Sequence, residues 1–353
     1  MKNITTQTTT KKMYGNLHLS RGSEGFDAPH PWLIKRFFPL NSFGVIFGKS
    51  DSLKSFLAID VCCSIATGKK WNEHSTTKGA IVFIAAEGQM GISRRIKAWE
   101  QVNKLKADNV FVLGHSVPVA EKTPRCDLLE AIKQIENNEQ VKVNLVVFDT
   151  LSRCFTGSEN CADSMNTFIR SCDEIRQKAN TSVICIHHSG KDESRGSRGS
   201  SVLLGACDFE FQVKRAGKSK LTTFINKKQK DAEEAPELEF EFNTVDLGLL
   251  CEDNEPITSL ARYTNAVVKS TANRALHPII KALRDSFNGH CSRNELREAC
   301  YPYSETEPQN TTNKRFKRTL DGLLEDNLIT IEQKNVRASG NDTITLKLHL
   351  DSE

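Results

Sequence analysis

The sequence predicts an α/β protein with a mostly parallel sheet, an antiparallel extension of that sheet and a small, separate α+β domain. Three observations predict this fold. Five apolar runs before residue 190 alternate with segments long enough for helices, which is the order of a parallel sheet with crossover helices. Three later runs alternate apolar and polar residues, as antiparallel strands do. From about residue 274 the apolar spacing becomes helical again.

Length and composition set the domain plan. A chain of 353 residues with 38% hydrophobic and 26% charged residues can build one large core and a second, smaller one. We divide it into a flexible N-terminal segment (1–28), a large α/β domain (29–250), a linker (251–273) and a small domain (274–353).

Charge and hydropathy narrow the class of protein. The net charge of +4 is only mildly basic, so any affinity for polyanions must come from local clusters. No apolar run approaches the roughly 20 residues that span a bilayer. The N-terminus MKNITTQTTTKK also lacks the apolar stretch of a secretory signal. We therefore expect a cytoplasmic protein that does not contact a membrane.

The cysteines and histidines do not indicate a disulfide framework or a zinc site. Eleven cysteines are scattered through core-like segments such as DVCCSIA and SVICIHH, with no CxxC pair, which is typical of reduced, buried thiols. His187 and His188 are adjacent on a strand-like segment. Their side chains would point to opposite faces, so at most one of them can serve any given site.

The strands of the predicted parallel sheet are near-continuous apolar runs, which indicates burial on both faces. They are FGVIF (43–47), AIVFIA (80–85), NVFVL (109–113), VNLVVF (143–148) and SVICI (182–186). The antiparallel extension is predicted from DFEFQV, LTTFIN and ELEFEF.

The segment GKSDSLKS (48–55) resembles the phosphate-binding loop G-x-x-x-x-G-K-[ST], with Leu53 in place of the second glycine. The strand FGVIF precedes it, and SFLAIDVCCSIATG follows with helical spacing that ends at Gly68. An ordinary strand-to-helix turn is the alternative, but this setting is the one that the motif requires. The predicted nucleotide-binding residues are Gly48, Lys49, Ser50, Asp51, Ser52, Leu53, Lys54 and Ser55.

The chemistry of such a loop is that of ATP and Mg²⁺. Consecutive backbone N–H groups and the helix N-terminus cradle phosphate oxygens. Lys54 would neutralise the β- and γ-phosphates, and the Ser55 hydroxyl would bind Mg²⁺. Leucine lacks the conformational freedom of glycine, but the neighbours of Leu53 are small or turn-prone, so we expect the loop to close with strain at Leu53.

Two of the predicted strands end in carboxylates. AIVFIAAEG places Glu87, and VNLVVFDT places Asp149, at the carboxyl edge of the sheet, where ligands of open α/β sheets bind. Glu87 could orient and deprotonate an attacking water, and Asp149 could bind Mg²⁺ through water. One acidic strand end is common on protein surfaces, but two beside a phosphate loop indicate a hydrolytic site.

Taken in order, GKSDSLKSFLAID, FIAAEG, VVFDT, IHHSGKD and SRGSSVLLGACD resemble the RecA-type ATPases of the plasmid RepA hexameric helicase group and related phage ATPases, which are akin to the DnaB helicases. The resemblance covers about residues 30–250. It implies a RecA-like sheet, ATP hydrolysis with Mg²⁺, and a homo-hexameric ring with single-stranded DNA in its channel. It also implies a role in the replication of a mobile element.

The resemblance assigns roles by position. Lys54 and Ser55 match the phosphate-loop pair, Glu87 the catalytic glutamate and Asp149 the Walker B aspartate. His188 resembles the residue that senses the γ-phosphate.

Three further residues resemble groups that act between subunits. Arg198 resembles an arginine finger supplied to the neighbouring subunit, which would require a heterologous, ring-forming contact. Lys228 and Lys230, in NKKQKD, are candidates for the same interface, or they form a charged hairpin edge. The sequence departs from the family at Leu53 and at Gly88, where some relatives carry a second acid. Both departures bear on the rate of hydrolysis more than on nucleotide binding.

The C-terminal domain resembles a winged helix. LHPIIKALRDSF, SRNELREAC and NKRFKRTLDGLLEDNLI read as three amphipathic helices, and two strands follow around a Gly-Asn turn. The third helix and the wing carry the predicted DNA-binding residues Lys314, Arg315, Lys317, Arg318 and Arg337, which suit phosphate contacts on duplex DNA. Winged helices also bind proteins, and acidic residues balance the basic ones here, so both uses remain open.

Together these features predict an ATP-driven ring motor acting on DNA, as a replicative helicase or replication initiator of a mobile element. The first alternative is an ATP-switched DNA-binding regulator or loader that unwinds nothing. The second is a KaiC-like signalling ATPase without DNA.

Overall fold

The computed structural model describes residues 12–24, 26–190, 201–263, 267–268, 278–303, 308–325, 329–332 and 342–346. The chain divides into two compact units, residues 1–268 and 269–353. Each unit is described by itself.

A ten-stranded sheet forms the centre of the first unit. Its strands are β5 (Phe43–Gly48), β6 (Ala80–Ala85), β7 (Val110–Leu113), β8 (Val143–Asp149), β9 (Ser182–His188), β10 (Phe209–Arg215), β11 (Leu221–Gln229), β12 (Leu238–Leu250), β13 (Pro256–Arg262) and β14 (Val267–Val268). The order is β13-β12-β11-β10-β5-β9-β8-β6-β7, and β14 pairs with β12. Strands β5 to β10 run parallel to one another, and β11 to β14 pair antiparallel. The segment DFEFQV, predicted to lie in the antiparallel extension, is instead a parallel strand (β10), because it pairs with β5 on one side and starts the antiparallel part only through β11 on the other. The α/β fold with a mostly parallel sheet and an antiparallel extension is therefore confirmed.

Helices cover both faces of this sheet. They are α1 (Lys54–Thr67), α2 (Gln89–Asn103), α3 (Lys122–Glu139), α4 (Leu151–Cys154), α5 (Ala162–Ala179) and α6 (Ser201–Ala206). Alternate strand residues point to opposite faces, so Ile46 packs with α1 and α2 in one core, while Val45 and Phe47 pack with α3 and α5 in the other. This double burial is why the central strands read as continuous apolar runs. As predicted, α1 ends at Gly68, whose φ of 77° is left-handed.

The N-terminal residues contain two short sheets. Strands β1 (Lys12–Tyr14) and β2 (Leu17–Leu19) form a hairpin inside the segment that we expected to be flexible, and β3 (Trp32–Ile34) pairs with β4 (Phe38–Pro39). At the other end of the unit, β13 occupies part of the expected linker. The ten-stranded sheet therefore extends further towards the C-terminus than the sequence pattern indicated.

The second unit contains three helices and a three-stranded antiparallel sheet among its described residues. Its elements are α7 (Pro278–Asp285), β15 (His290–Ser292), α8 (Arg293–Cys300), α9 (Gln309–Glu325), β16 (Ile329–Glu332) and β17 (Thr343–Leu346). The sheet order is β15-β17-β16. Ser292 and Glu295 form a reciprocal capping box that begins α8. Helix α9 begins at Gln309, before the predicted run, and Ile329, the last residue of that run, belongs to β16.

None of the helices in the described part of the chain is long and apolar enough to cross a membrane.

Candidate functional site

The loop 49–53 lies between β5 and α1 at the carboxyl edge of the parallel strands. Its strand is central, with β9 on one side and β10 on the other. A Cβ atom on Gly48 would lie 2.2 Å from the carbonyl oxygen of Val213, so only glycine fits where β5 enters the loop. The sequence-predicted loop therefore has the strand-loop-helix geometry of a phosphate-binding loop.

Leu53 adopts the left-handed conformation that its position demands. Its φ and ψ are 67° and 22°, values that glycine reaches freely and leucine reaches at a cost of about 1–2 kcal/mol. Its side chain is only 9% exposed and packs in the core with Leu57 and Ile59. Packing therefore offsets the backbone cost, and the loop closes without its second glycine. Asp51 is also left-handed, with φ of 62°.

Lys54 begins α1 and is held inside the loop. Its Nζ donates hydrogen bonds to the carbonyl oxygens of Gly48 at 2.9 Å and Lys49 at 2.6 Å. Burial lowers the pKa of Lys54 to about 8, although the negative charges of Asp149, Asp51 and Glu87 act against that shift. A buried ammonium at a helix N-terminus is a site for anions such as phosphate.

Asp149 ends β8 beside the first turn of α1 and accepts a hydrogen bond from the Ser55 hydroxyl. The carboxylate is 2% exposed, and burial raises its pKa to about 6, although Ser55, Arg95 and Lys54 act in the opposite direction. A hydroxyl and a buried carboxylate side by side are the hard oxygen donors that Mg²⁺ prefers. The residues present therefore fit the ion that the loop implies.

Glu87 follows β6 directly beside Asp149. The backbone N–H groups of Ala86 and Glu87 donate to the Asp149 carbonyl at 2.8 and 3.2 Å, which fixes the two strand ends together. The Glu87 carboxylate accepts hydrogen bonds from Thr150 Oγ1 at 3.1 Å and from Arg153 Nε at 3.2 Å. This carboxylate is partly exposed, so water can reach it.

The predicted histidine positions agree with the geometry of β9. His188 pairs with Gly48 at the end of the strand and lines the cleft, whereas His187 is fully buried. Adjacent strand residues do point to opposite faces, and only His188 belongs to the site.

One cleft of about 370 Å³ connects these groups. It is lined by Ser50, Asp51, Leu53, Lys54, Ser55, Phe56, Glu87, Gly88, Arg95, Asp149, Thr150, His188 and Arg215. The structure thus brings together the predicted loop, both carboxylates and His188.

Two arginines of the cleft were not found by sequence reasoning. The Arg95 guanidinium of α2 lies 4.5 Å from the centre of the Phe56 ring and attracts the Asp149 carboxylate; burial lowers the pKa of Arg95. Arg215 ends β10 and donates to the Asp51 carbonyl at 2.9 Å. Arg95 lies two turns beyond Glu87 in the helix that the Glu87 strand feeds, a spacing that could have indicated it. Arg215 had no local signal, because only the pairing of β10 with β5 brings it to the loop.

The candidate interface residues lie apart from this cleft. Since β11 runs antiparallel to β10, Lys228 and Lys230 lie at the opposite edge of the sheet from Lys54. Lys228 Nζ donates to the carbonyl oxygens of Leu204 at 2.6 Å and Gly205 at 3.1 Å. These lysines therefore do not join the nucleotide site of their own chain. Arg198 lies outside the described residues.

The basic residues of the second unit lie on one exposed surface. Lys314, Arg315, Lys317 and Arg318 are exposed on α9, while Phe316, Leu320 and Leu323 of the same helix pack into the core of the unit. The Arg315 guanidinium lies 5.4 Å from the ring centre of Tyr301. Arg337 lies outside the described residues.

Comparison with known families agrees with the geometry of the cleft. The family model described as AAA domain matches residues 13–194, which is more than half of the chain. No curated protein matches the chain. The matched stretch contains the loop, Glu87, Asp149 and His188. This chain therefore belongs to the AAA domain family of P-loop ATPases.

Proposed function

We propose that this chain is an ATP-driven, ring-forming motor that acts on DNA, as a replicative helicase or replication initiator of a mobile element. The observation that carries the proposal is one chain that contains both a P-loop ATPase cleft and a separate unit with a basic, exposed helix. A motor needs both a site that hydrolyses ATP and a surface that holds the polyanion.

The cleft residues have distinct tasks in this proposal. The Lys54 ammonium binds and neutralises the terminal phosphates of ATP. Ser55 and Asp149, which are hydrogen-bonded to each other, would hold Mg²⁺, and the ion would supply charge neutralisation at the phosphate oxygens. Glu87 accepts a proton from the attacking water at its carboxylate. Thr150 and Arg153, which bond to that carboxylate, hold it in place.

The remaining roles concern the approach to the γ-phosphate. His188, at the end of the strand next to the loop, senses the γ-phosphate. Arg198 supplies a guanidinium to the cleft of the next subunit, with Lys228 and Lys230 at the same interface. Lys228 and Lys230 lie at the opposite edge of the sheet from Lys54 of their own chain, so a nucleotide that they contact would be that of a neighbour.

The order of elements in the second unit supports a winged helix. Helix, strand, two helices and two strands follow one another, and the three strands form one antiparallel sheet. In such a fold the third helix enters the major groove and its basic residues contact phosphates. Helix α9 is that helix here, and its four exposed cations suit duplex DNA.

The decisive experiment measures ATP turnover of the full chain with and without single-stranded DNA, together with displacement of a labelled strand from a forked duplex. A motor predicts turnover that DNA stimulates and displacement that needs ATP. Tight binding of a specific duplex with negligible turnover would identify an ATP-switched regulator or loader instead. If the chain hydrolyses ATP but neither binds nucleic acid nor is stimulated by it, the result would identify a signalling ATPase.

A further inference from the structure

We propose that Asn313 of α9 reads an adenine base in the major groove of duplex DNA, and that Tyr303 holds the Asn313 amide ready for that contact. The inference deepens the proposed function and rests on one part of it, namely that α9 enters the groove of a duplex. It names a base that the second unit distinguishes. The lysines and arginines of α9 contact phosphates, which are the same in every sequence.

Asn313 lies on an exposed face of the first turns of α9. Four exposed residues share this face at the spacing i, i+3, i+4 and i+7, namely Asn310, Asn313, Lys314 and Lys317. Phe316 packs into the core of the unit from another face of the helix. In helix-turn-helix proteins the N-terminal residues of the recognition helix contact base edges. Both asparagines lie in that part of α9, which begins at Gln309.

The amide of Asn313 is oriented by a residue that precedes α9. The Tyr303 hydroxyl donates a hydrogen bond to Asn313 Oδ1 at 3.0 Å. This bond fixes the rotation of the amide. It uses one of the two lone pairs of the oxygen and neither of the two N–H donors. The oriented amide can therefore accept one further hydrogen bond and donate another.

Tyr303 is itself held against α8. The Arg297 guanidinium lies 4.1 Å from the centre of the Tyr303 ring, which is the distance of a cation–π contact. Arg297 Nη2 also donates to Glu298 Oε1 at 2.9 Å, and the Arg297 side chain is only 12% exposed. These contacts connect α8 to Asn313 through Tyr303. A side chain that is ordered before binding loses less conformational entropy when the complex forms.

The hydrogen-bonding groups that remain on Asn313 match the major-groove edge of adenine. Adenine presents an N7 acceptor beside an N6 amino donor, and the amide of asparagine bonds to both at once. Asn313 Oδ1 accepts from N6, and Nδ2 donates to N7. Guanine presents two acceptors at this edge, and thymine and cytosine present a single polar group each. Asn313 therefore makes both hydrogen bonds only with adenine.

The first test selects bound duplexes from a pool with random core sequences, using the full chain. The wild type should recover sequences with adenine at one fixed position. Asn313→Ala should lose the base preference at that position and keep any preference at the others. Asn138→Ala, at an exposed asparagine of α3, is the matched control and should recover the same sequences as the wild type. Circular dichroism should show that each variant is folded.

The second test changes one atom of the base. In 7-deazaadenine a C–H group replaces N7, so the base still pairs with thymine but cannot accept from Asn313 Nδ2. Fluorescence anisotropy with this base in the recovered duplex should show binding at least about fivefold weaker for the wild type. The Asn313→Ala chain should bind both duplexes equally. Tyr303→Phe should bind the adenine duplex about 2- to 10-fold more weakly than the wild type and still distinguish the two bases.

Three results would overturn the base contact: no base preference in the wild type, an adenine preference that survives in Asn313→Ala, or equal wild-type affinities for the two bases. Unchanged affinity of Tyr303→Phe would overturn the positioning role of Tyr303. A chain that distinguishes adenine but displaces no strand would refute the motor and leave this contact standing. Strand displacement driven by ATP without any base preference would do the reverse.

Discussion

At the scale of single residues, Leu53 shows how a departure from a motif is accommodated. Its left-handed backbone is the conformation of a glycine, yet its side chain is buried among Leu57 and Ile59. If the strain expected at Leu53 were the whole effect, glycine at this position would only relax the loop. The buried side chain changes that expectation, because glycine would remove apolar contacts as well as strain.

The variants Leu53→Gly and Leu53→Ala separate these two effects. Both lose the packing of a buried leucine, about 2–5 kcal/mol for truncation to alanine. Only the alanine variant keeps the left-handed strain, so it should unfold at a lower urea concentration than the glycine variant. We expect its free energy of unfolding to be lower by about 1 kcal/mol. Equal stabilities of the two variants, measured by urea denaturation, would show that position 53 bears no backbone strain.

The buried carboxylate of Asp149 lowers the stability of the folded chain when it is ionised. Its pKa is raised from an ordinary 3.8 to about 6 because burial disfavours the charged carboxylate. Above pH 6 the folded chain therefore holds an ionised group that the unfolded chain would solvate better. Below pH 3.8 the group is protonated in both states and this cost is absent.

The variant Asp149→Asn should accordingly be more stable than the wild type but inactive. In metal-free, nucleotide-free buffer above pH 6 the gain should be on the order of 3 kcal/mol, and it should shrink as the pH falls from 6 towards 3.8. Urea denaturation at several pH values measures it. The exposed Asp108→Asn is the matched control and should show no such gain. A pH-independent gain, or a loss, would contradict the buried charge.

At the scale of elements, a buried ion pair between α1 and β13 holds α1 in place. Asp60, two turns into the helix, accepts hydrogen bonds from the indoles of Trp71 at 2.8 Å and Trp99 at 2.9 Å, and Arg262 of β13 lies 2.9 Å from the same carboxylate. Asp60 and Arg262 are both buried. This group ties the helix that carries Lys54 to α2 and to the antiparallel extension.

Removing one partner of this pair should be costly. Arg262→Met leaves a buried carboxylate without its cation and should lower the free energy of unfolding by about 3–5 kcal/mol. Adding Asp60→Asn to that variant removes the charge and should restore part of the loss. Urea denaturation of both variants measures the coupling. If Arg262→Met unfolded like the wild type, the pair would not hold α1.

Helix α9 is the element on which DNA binding depends in the second unit. Changing Lys314, Arg315, Lys317 and Arg318 to alanine should weaken duplex binding and lower its salt dependence by about 0.9 log units per lost phosphate contact. ATP turnover without DNA should change little. Fluorescence anisotropy at several salt concentrations measures the slope. Lys70→Ala with Lys104→Ala, at two exposed lysines of the first unit, is the control. An unaltered slope in the α9 variant would indicate that this unit binds protein.

Elements with strong periodicity were predicted well, and those without it were missed. Five of the six parallel strands, the loop and α1 follow from apolar runs and one motif. Strand β13 lies in the segment predicted to be a linker, because its pairing with β12 is a long-range contact that its own residues do not signal. Arg215 gives no local signal for the same reason, and the hairpin that turns at Gly15 and Asn16 lies in the segment predicted to be flexible. Local patterns therefore located Lys54, Ser55, Glu87 and Asp149, and the family resemblance located His188. Tertiary contacts bring Arg215 to the same cleft.

At the scale of the whole molecule, one unit contains an ATPase cleft and the other an exposed basic helix. The cleft contains the loop, the neighbouring Ser55 and Asp149, and Glu87, all from its own chain. In the motor that we propose, a guanidinium from the next subunit completes it. The central claim is thus that a cleft of one chain depends on its neighbour, which is what distinguishes a ring motor from a monomeric ATPase.

Mixing two inactive variants tests this claim most directly. Arg198→Ala should still bind ATP but hydrolyse it about 10³-fold more slowly, as when an arginine finger is missing. Lys54→Ala should have no working cleft but an intact Arg198. In a mixture, the cleft of the Arg198→Ala chain can receive the arginine of a Lys54→Ala neighbour, so turnover should rise above the sum of the separate variants. Near wild-type turnover of Arg198→Ala alone, or no gain on mixing, would contradict a site shared between subunits.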